Sequence, residues 1–145
     1  MDEDSQYIFA ESDFPFDDLN DDDFAGIKIN FVESSGDLEY NSNAVIVEID
    51  YTDVSSLFYT PAADENGFPY STFNFKVKDN SGDYSYTMTI NVNPVNDSPV
   101  LSNIEADQLN FTENSAPVAI SSSIRIRDVD DVNIHSAAVS IIANY

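Results

Sequence analysis

The sequence predicts an all-β protein of the sandwich class, and three observations carry that prediction. Apolar and polar residues alternate along several short runs, turn-forming Gly, Pro, Asn, Asp and Ser cluster between the runs, and no segment repeats its apolar residues at the helical period. The clearest run is 71–79, where Phe73, Phe75 and Val77 alternate with Asn74, Lys76 and Lys78. Residues 84–92 follow the same period and put Tyr84, Tyr86, Met88, Ile90 and Val92 on one face. Asn80-Ser81-Gly82-Asp83 between them is a turn cluster that joins the two runs as a hairpin. Earlier strands are expected at 7–10, 26–32, 44–52 and 57–60.

After the hairpin comes Asn93-Pro94-Val95-Asn96-Asp97-Ser98-Pro99-Val100. Its two prolines cannot donate to a ladder and hold the segment extended, which marks a boundary between residues 1–97 and 98–145. The second part reads as a copy of the first. Glu3 is followed by Phe14, Phe16 and Asp18 at the offsets at which Glu113 is followed by Ile124, Ile126 and Asp128. Asn20 then matches Asp130, and after two residues of slippage Ala25-Gly26-Ile27-Lys28-Ile29 pairs with Ala137-Ala138-Val139-Ser140-Ile141. A repeat of about 110 residues is that of tandem whole domains rather than of a solenoid. The expectation is one complete sandwich followed by the truncated opening of another.

Charge narrows the function. In 145 residues, 27 Asp and Glu face only 5 Lys and Arg, a net charge of −22. Such a field repels phosphate backbones and anionic lipid headgroups, so neither nucleic acid nor a membrane surface is an expected partner. With no cysteine, thiol catalysis, disulfides and zinc–thiolate sites are excluded. The chain has a single histidine, His135, which reads as a strand or surface residue. No apolar run approaches the ~20 residues of a membrane span, and Met1-Asp2-Glu3-Asp4-Ser5 has no signal-peptide character. The chemistry left is that of an acidic domain whose natural partner is a cation.

Residues 1–23 hold ten acidic side chains and no basic one, interleaved with Tyr7, Ile8, Phe9, Phe14 and Phe16. Further acids, Asp64-Glu65, Asp79 and Asp97, fall at predicted strand ends, where loops gather at the poles of a sandwich. Carboxylates crowded at one pole repel unless a cation neutralises them. Calcium takes six to eight oxygen ligands at flexible geometry, and oxygen is the donor this chain offers, so Ca2+ is the expected cofactor. Asp18-Leu19-Asn20-Asp21-Asp22 opens like an EF-hand loop but fails, with Asp23 where glycine is needed and Ile29 where glutamate is needed.

Val95-Asn96-Asp97-Ser98-Pro99-Val100 resembles the VNDAPV-type junction of bacterial cadherin-like tandem repeats, which build large surface adhesins. Asp2-Glu3-Asp4-Ser5, the run from Phe73 to Gly82, and Phe111-Thr112-Glu113-Asn114 with Ile126-Arg127-Asp128-Val129-Asp130 fit the same family. The resemblance implies a cadherin/Ig-like β-sandwich with calcium held between successive domains. It implies a junction site using Glu3, Asp64 or Glu65, Asn96 and Asp97 from the first repeat, with Asp128 and Asp130 from the second. Asp18, Asn20 and Asp79 would serve the opposite pole, with Asn20 standing where the family has a second Asp, and Glu113 would serve the next junction.

The function expected from residues and resemblance together is a calcium-binding extracellular module, a rigidified spacer or cell-adhesion repeat. Its partners are neighbouring repeats of the same chain, with cell-surface glycan or protein as the ligand of the array. Two alternatives remain: a non-catalytic, carbohydrate-binding module of a secreted enzyme, and an acidic, salt-adapted domain with no specific ion site. No enzyme is expected, because Asp21-Asp22-Asp23 offers no separated carboxyl pair in a cleft and there is no Trp to platform a sugar.

Overall fold

The computed structural model describes residues 1–14, 23–32, 35–78, 83–107 and 109–140, and the chain divides into two units, Met1–Val95 and Asn96–Tyr145. No α-helix occurs among the described residues, so none is long and apolar enough to cross a membrane.

Alternation decides the first unit. Its strands are β1 (Tyr7–Ile8), β2 (Gly26–Val32), β3 (Asp37–Tyr40), β4 (Asn43–Ala44), β5 (Asp50–Tyr51), β6 (Leu57–Thr60), β7 (Gly67–Lys78) and β8 (Asp83–Val92). They form two antiparallel sheets, ordered β1-β6-β3-β4 and β5-β2-β7-β8. On β7 the residues Phe73, Phe75 and Val77 turn inward and are buried, joined by Ile27 and Ile29 of β2 and Ile90 and Val92 of β8. The other sheet contributes Leu38, Leu57 and Tyr59. Phe9 and Phe14 close the core, packing edge-on against Phe73 and Phe75 at ring centroid separations of 5.7 and 5.1 Å. The first unit is a β-sandwich.

Four points of the strand reading need correction. The single strand at 44–52 is instead β4 and β5 with a turn between them, where Glu48 takes φ 66 and Ile46, Val47 and Ile49 stay exposed. Tyr51 fixes that turn, its hydroxyl donating to the Ile46 carbonyl and accepting from the Ile46 N–H, each at 2.8 Å. The strand at 7–10 stops at Ile8, because the Asp13 carboxylate captures the Ala10 N–H at 2.8 Å and a 3-10 turn follows over Glu11–Asp13. β3 was not expected; it lies between β6 and β4 with only Leu38 fully inward. β7 also starts before residue 71, with a register shift between Gly67 and Ser71 around Pro69, which has no N–H for the ladder.

The second unit holds β9 (Val100–Ser102) paired antiparallel with β10 (Arg125–Arg127). No described residue of this unit is buried.

Candidate metal centre

The two ends of the first unit meet along the edge of β8. Asp2 and Asn93 form a parallel bridge, the Glu3 N–H donates to the Asn93 carbonyl at 3.0 Å, and the Asn93 N–H donates to the Met1 carbonyl at 2.8 Å. This bridge carries the Glu3 side chain inward, where it is only 3% exposed. Its Oε1 accepts the Val95 N–H at 2.5 Å and its Oε2 accepts the Asn66 amide at 3.2 Å. Each carboxylate oxygen has two acceptor directions, so Glu3 is fixed in place with capacity to spare.

Beside it the chain turns through Asp4, at φ 54, and the β6–β7 loop turns through Asp64, at φ 59. Both sit in the left-handed region, which Asp tolerates because its short side chain can bond locally. The Asp64 N–H donates to Asp4 Oδ1 at 3.2 Å, and a carboxylate oxygen of each lies within 4.8 Å of one of the other. Glu65 is engaged differently: its Oε2 accepts the Tyr70 hydroxyl at 2.7 Å. Burial, and then that bond, push the Tyr70 phenol up, so it remains a donor.

The unit's lysines are elsewhere. Its basic side chains are Lys28, Lys76 and Lys78, with Lys28 opposite Lys76 across the β2–β7 ladder. Lys28 and Lys78 both pair with Asp50, whose carboxyl is held below its ordinary value chiefly by the Lys78 hydrogen bond. Glu3 meets β8 beyond Val92, which is opposite Gly67, whereas Lys76 is opposite Ser85. Along β8 seven residues separate Val92 from Ser85, about 23 Å at ~3.3 Å per residue, roughly three times the ~8 Å screening length of physiological salt. The repulsion between Asp4 and Asp64 is therefore not relieved by any lysine of the unit.

The second unit assembles its own acids. Asp128 Oδ1 accepts the N–H groups of both Asp130 and Asp131 at 3.1 Å, folding the Asp128-Val129-Asp130 element back on itself. Asp130 Oδ2 in turn accepts the Asp97 N–H at 2.6 Å, while the Asn96 amide donates to the Asp97 carbonyl at 2.6 Å. Residues 33 apart in sequence, Asp97 and Asp130, are thus in contact. Glu113 stands in a separate exposed turn, where the Ser115 N–H donates to the Thr112 carbonyl at 3.1 Å. That turn repeats the first unit's opening: Asn114 follows Glu113 at φ 63 as Asp4 follows Glu3 at φ 54.

Of the residues named from sequence, Glu3 and Asp64 lie in one neighbourhood of the first unit, and Asn96, Asp97, Asp128 and Asp130 lie in one neighbourhood of the second. Glu65 is turned to Tyr70, and Asp18, Asn20 and Asp79 lie outside the described residues. Sequence reasoning passed over Asp4 and Asn66. Both are immediate neighbours of named ligands, and that adjacency was the available signal. A donor set of carboxylate and amide oxygens fits a hard divalent ion. No family model, curated protein or solved structure matches the chain.

Proposed function

We propose that the chain is a calcium-binding, cadherin-like module of a large extracellular tandem-repeat protein, working as a rigidified spacer or adhesion repeat. The observation that carries this reading is the pole at Glu3: a buried, fixed carboxylate next to the Asp4–Asp64 pair, with the unit's lysines about 23 Å or more away along the strands. Two carboxylates that close to each other repel by about 1 kcal/mol even in water. A divalent cation converts that repulsion into attraction.

Pro94 and Pro99 flank the segment that carries Asp97 and leads in sequence from the first unit to Asp128 and Asp130. An ion that takes ligands from both sides of it turns two jointed units into a stiff rod. Extracellular calcium modules bind at ~10⁻⁴ to 10⁻³ M, so such a rod is stiff where calcium is millimolar and slack where it is scarce.

The test is thermal unfolding of the chain in EDTA, in about 2 mM CaCl2 and in about 2 mM MgCl2 at matched ionic strength, concentrations chosen to exceed that affinity range. Calcium is expected to raise Tm by roughly 5 °C, as mass action at such affinities requires, and magnesium to do far less. Equal responses to both ions, unchanged in Asp64→Asn, would leave the acidic, salt-adapted reading. A shift produced by oligosaccharide and not by calcium would leave the carbohydrate-binding one.

A further inference from the structure

The first unit has a feature that calcium does not use. β1 and β8 are edge strands of opposite sheets, and the seam between them opens into a cavity of about 320 Å3. Tyr7, Phe9, Tyr59, Met88 and Ile90 form its apolar wall, and Asp13 supplies a carboxylate. This volume suits a small organic ligand, and aromatic and aliphatic side chains beside a placed carboxylate are the composition of a binding cavity.

The charge is built in. Both oxygens of Asp13 accept the Tyr7 hydroxyl at 3.0 Å, and Oδ2 also accepts the Ala10 N–H at 2.8 Å. That hydrogen bond is the main reason the Tyr7 phenol is pushed up, so it stays a donor and keeps the carboxylate oriented. Oδ1 retains an acceptor direction for a further donor. Around it, Tyr7 and Phe9 stand edge to face at 5.2 Å, so two ring orientations border the same space. Tyr7 is 39% exposed, so its ring is reachable from solvent.

A hard metal ion suits this place poorly, because it needs six or more oxygens and Asp13 is the one carboxylate among the lining residues. A neutral apolar ligand has no use for Asp13. An alkylammonium group uses everything present: ring faces for the cation, a carboxylate counter-ion, and Met88 and Ile90 for its carbon substituents. The chain's net charge of −22 concentrates such cations at its surface. Met1 also lines the cavity, and its α-ammonium is held at the Asn91 carbonyl at 3.2 Å.

From this geometry we infer that the β1–β8 cavity binds a small alkylammonium group, with Asp13 as counter-ion and the Tyr7 ring as the cation–π surface. The inference stands apart from the calcium reading and is tested in EDTA. The probes are choline chloride, a lysine amide blocked at its α-amine, and the uncharged isostere of choline in which carbon replaces nitrogen. They are titrated at constant ionic strength while the Met88 methyl and Tyr7 ring resonances are followed by NMR.

Saturable shifts are expected with a Kd on the order of 1 mM for the better cation. The isostere is expected to bind at least about tenfold more weakly, as the loss of a carboxylate–cation attraction implies. Asp13→Asn keeps an acceptor for Tyr7 and Ala10, and is expected to leave Tm nearly unchanged while weakening cation binding by a similar factor. Tyr7→Phe, which keeps the ring, is expected to retain most of the affinity. Tighter binding of choline identifies a free quaternary amine as the ligand, and tighter binding of the lysine amide identifies a lysine-bearing peptide. Equal binding of the isostere to the unaltered chain overturns the inference and leaves an apolar groove. So does the absence of a saturable shift up to about 50 mM, far above the expected range.

Discussion

The Glu3 carboxylate accepts the Val95 N–H at 2.5 Å across 92 residues of sequence, tying the start of the first unit to its exit. With the second oxygen on Asn66, this single side chain closes the pole. Glu3→Ala leaves the Val95 N–H and the Asn66 amide without their acceptor in a part-buried site, at a cost of about 2 kcal/mol. For a domain this size that is a fall in Tm of roughly 10 °C or more. Glu3→Gln keeps an acceptor and is expected to cost less than half as much. Thermal melts in EDTA measure both, and equal losses for the two variants would show that Glu3 acts by volume rather than by its oxygens.

The Asp4–Asp64 pair predicts a change of sign. In EDTA the two carboxylates, with oxygens within 4.8 Å, repel, so Asp64→Asn or Asp4→Asn is expected to raise Tm by about 1–3 °C. In calcium the same variants lose a ligand and are expected to melt below the unaltered chain. Melting each protein in EDTA and in calcium exposes the crossing. A variant less stable in both conditions would mean that the Asp64 N–H to Asp4 bond outweighs the charge repulsion.

Where the local pattern was strong, the fold was legible. The bounds of β2 and β6 and the inward residues of β7 follow from alternation alone, because one face of each strand is buried against the opposite sheet. The 44–52 segment misled because Ile46, Val47 and Ile49 read as strand, while the Tyr51 hydroxyl and Glu48 at φ 66 impose a turn that no period reveals. β3 escaped notice because its flanking residues are polar and it depends on β6 for pairing. The site divides the same way. Glu3, Asp128 and Asp130 stand out as acids in a repeated spacing and Asp97 in the Asn96-Asp97 junction, whereas Asp4 and Asn66 acquire a role only through contacts across 60 and 63 residues.

Acid reports on the two units separately. In the second, Glu105 accepts the Ser121 and Ser123 hydroxyls at 2.8 and 2.9 Å and the Ser122 N–H at 3.2 Å. These donors, the Ser121 hydroxyl first, lower its pKa from an ordinary 4.5 to about 2. A carboxyl depressed on folding contributes stability that is complete above its unfolded value and vanishes as pH falls through the folded one. The 103–123 contacts are therefore expected to hold down to about pH 4.5 and to loosen between there and about pH 2. In the first unit Asp50, lowered mainly by Lys78, behaves in the same direction. Hydrogen exchange at Ser122 against pH checks the first of these. In Glu105→Gln the Ser122 amide is expected to exchange faster at neutral pH and to lose the added protection between about pH 4.5 and 2, and protection identical to that of the unaltered chain would refute the Ser122–Glu105 bond.

Gly26 tests the sandwich itself. It opens β2 at φ 127, a conformation that side-chain-bearing residues rarely adopt, and it lies where β2 meets both β5 and β7. A Cβ there would fall on the carbonyl oxygen of Tyr51 and within 2.9 Å of the Thr52 Cα, both backbone atoms that no rotamer change can move aside. Relief requires β5 to separate from β2, which breaks the Ile27–Tyr51 and Lys28–Asp50 pairings and draws Asp50 away from Lys28. Strain at the backbone and loss of the edge strand together are expected to cost Gly26→Ala about 3 kcal/mol or more. The readout is denaturant unfolding followed by the near-ultraviolet signal of Tyr51 and Tyr40, whose rings are in contact at a centroid separation of 4.7 Å, tilted by 53°. Gly67→Ala, where the nearest atoms stand at 3.4 Å, is the control and is expected to fall within about 1 kcal/mol of the unaltered chain. If Gly26→Ala were as mild as that control, β5 could not be packed against the start of β2 as described.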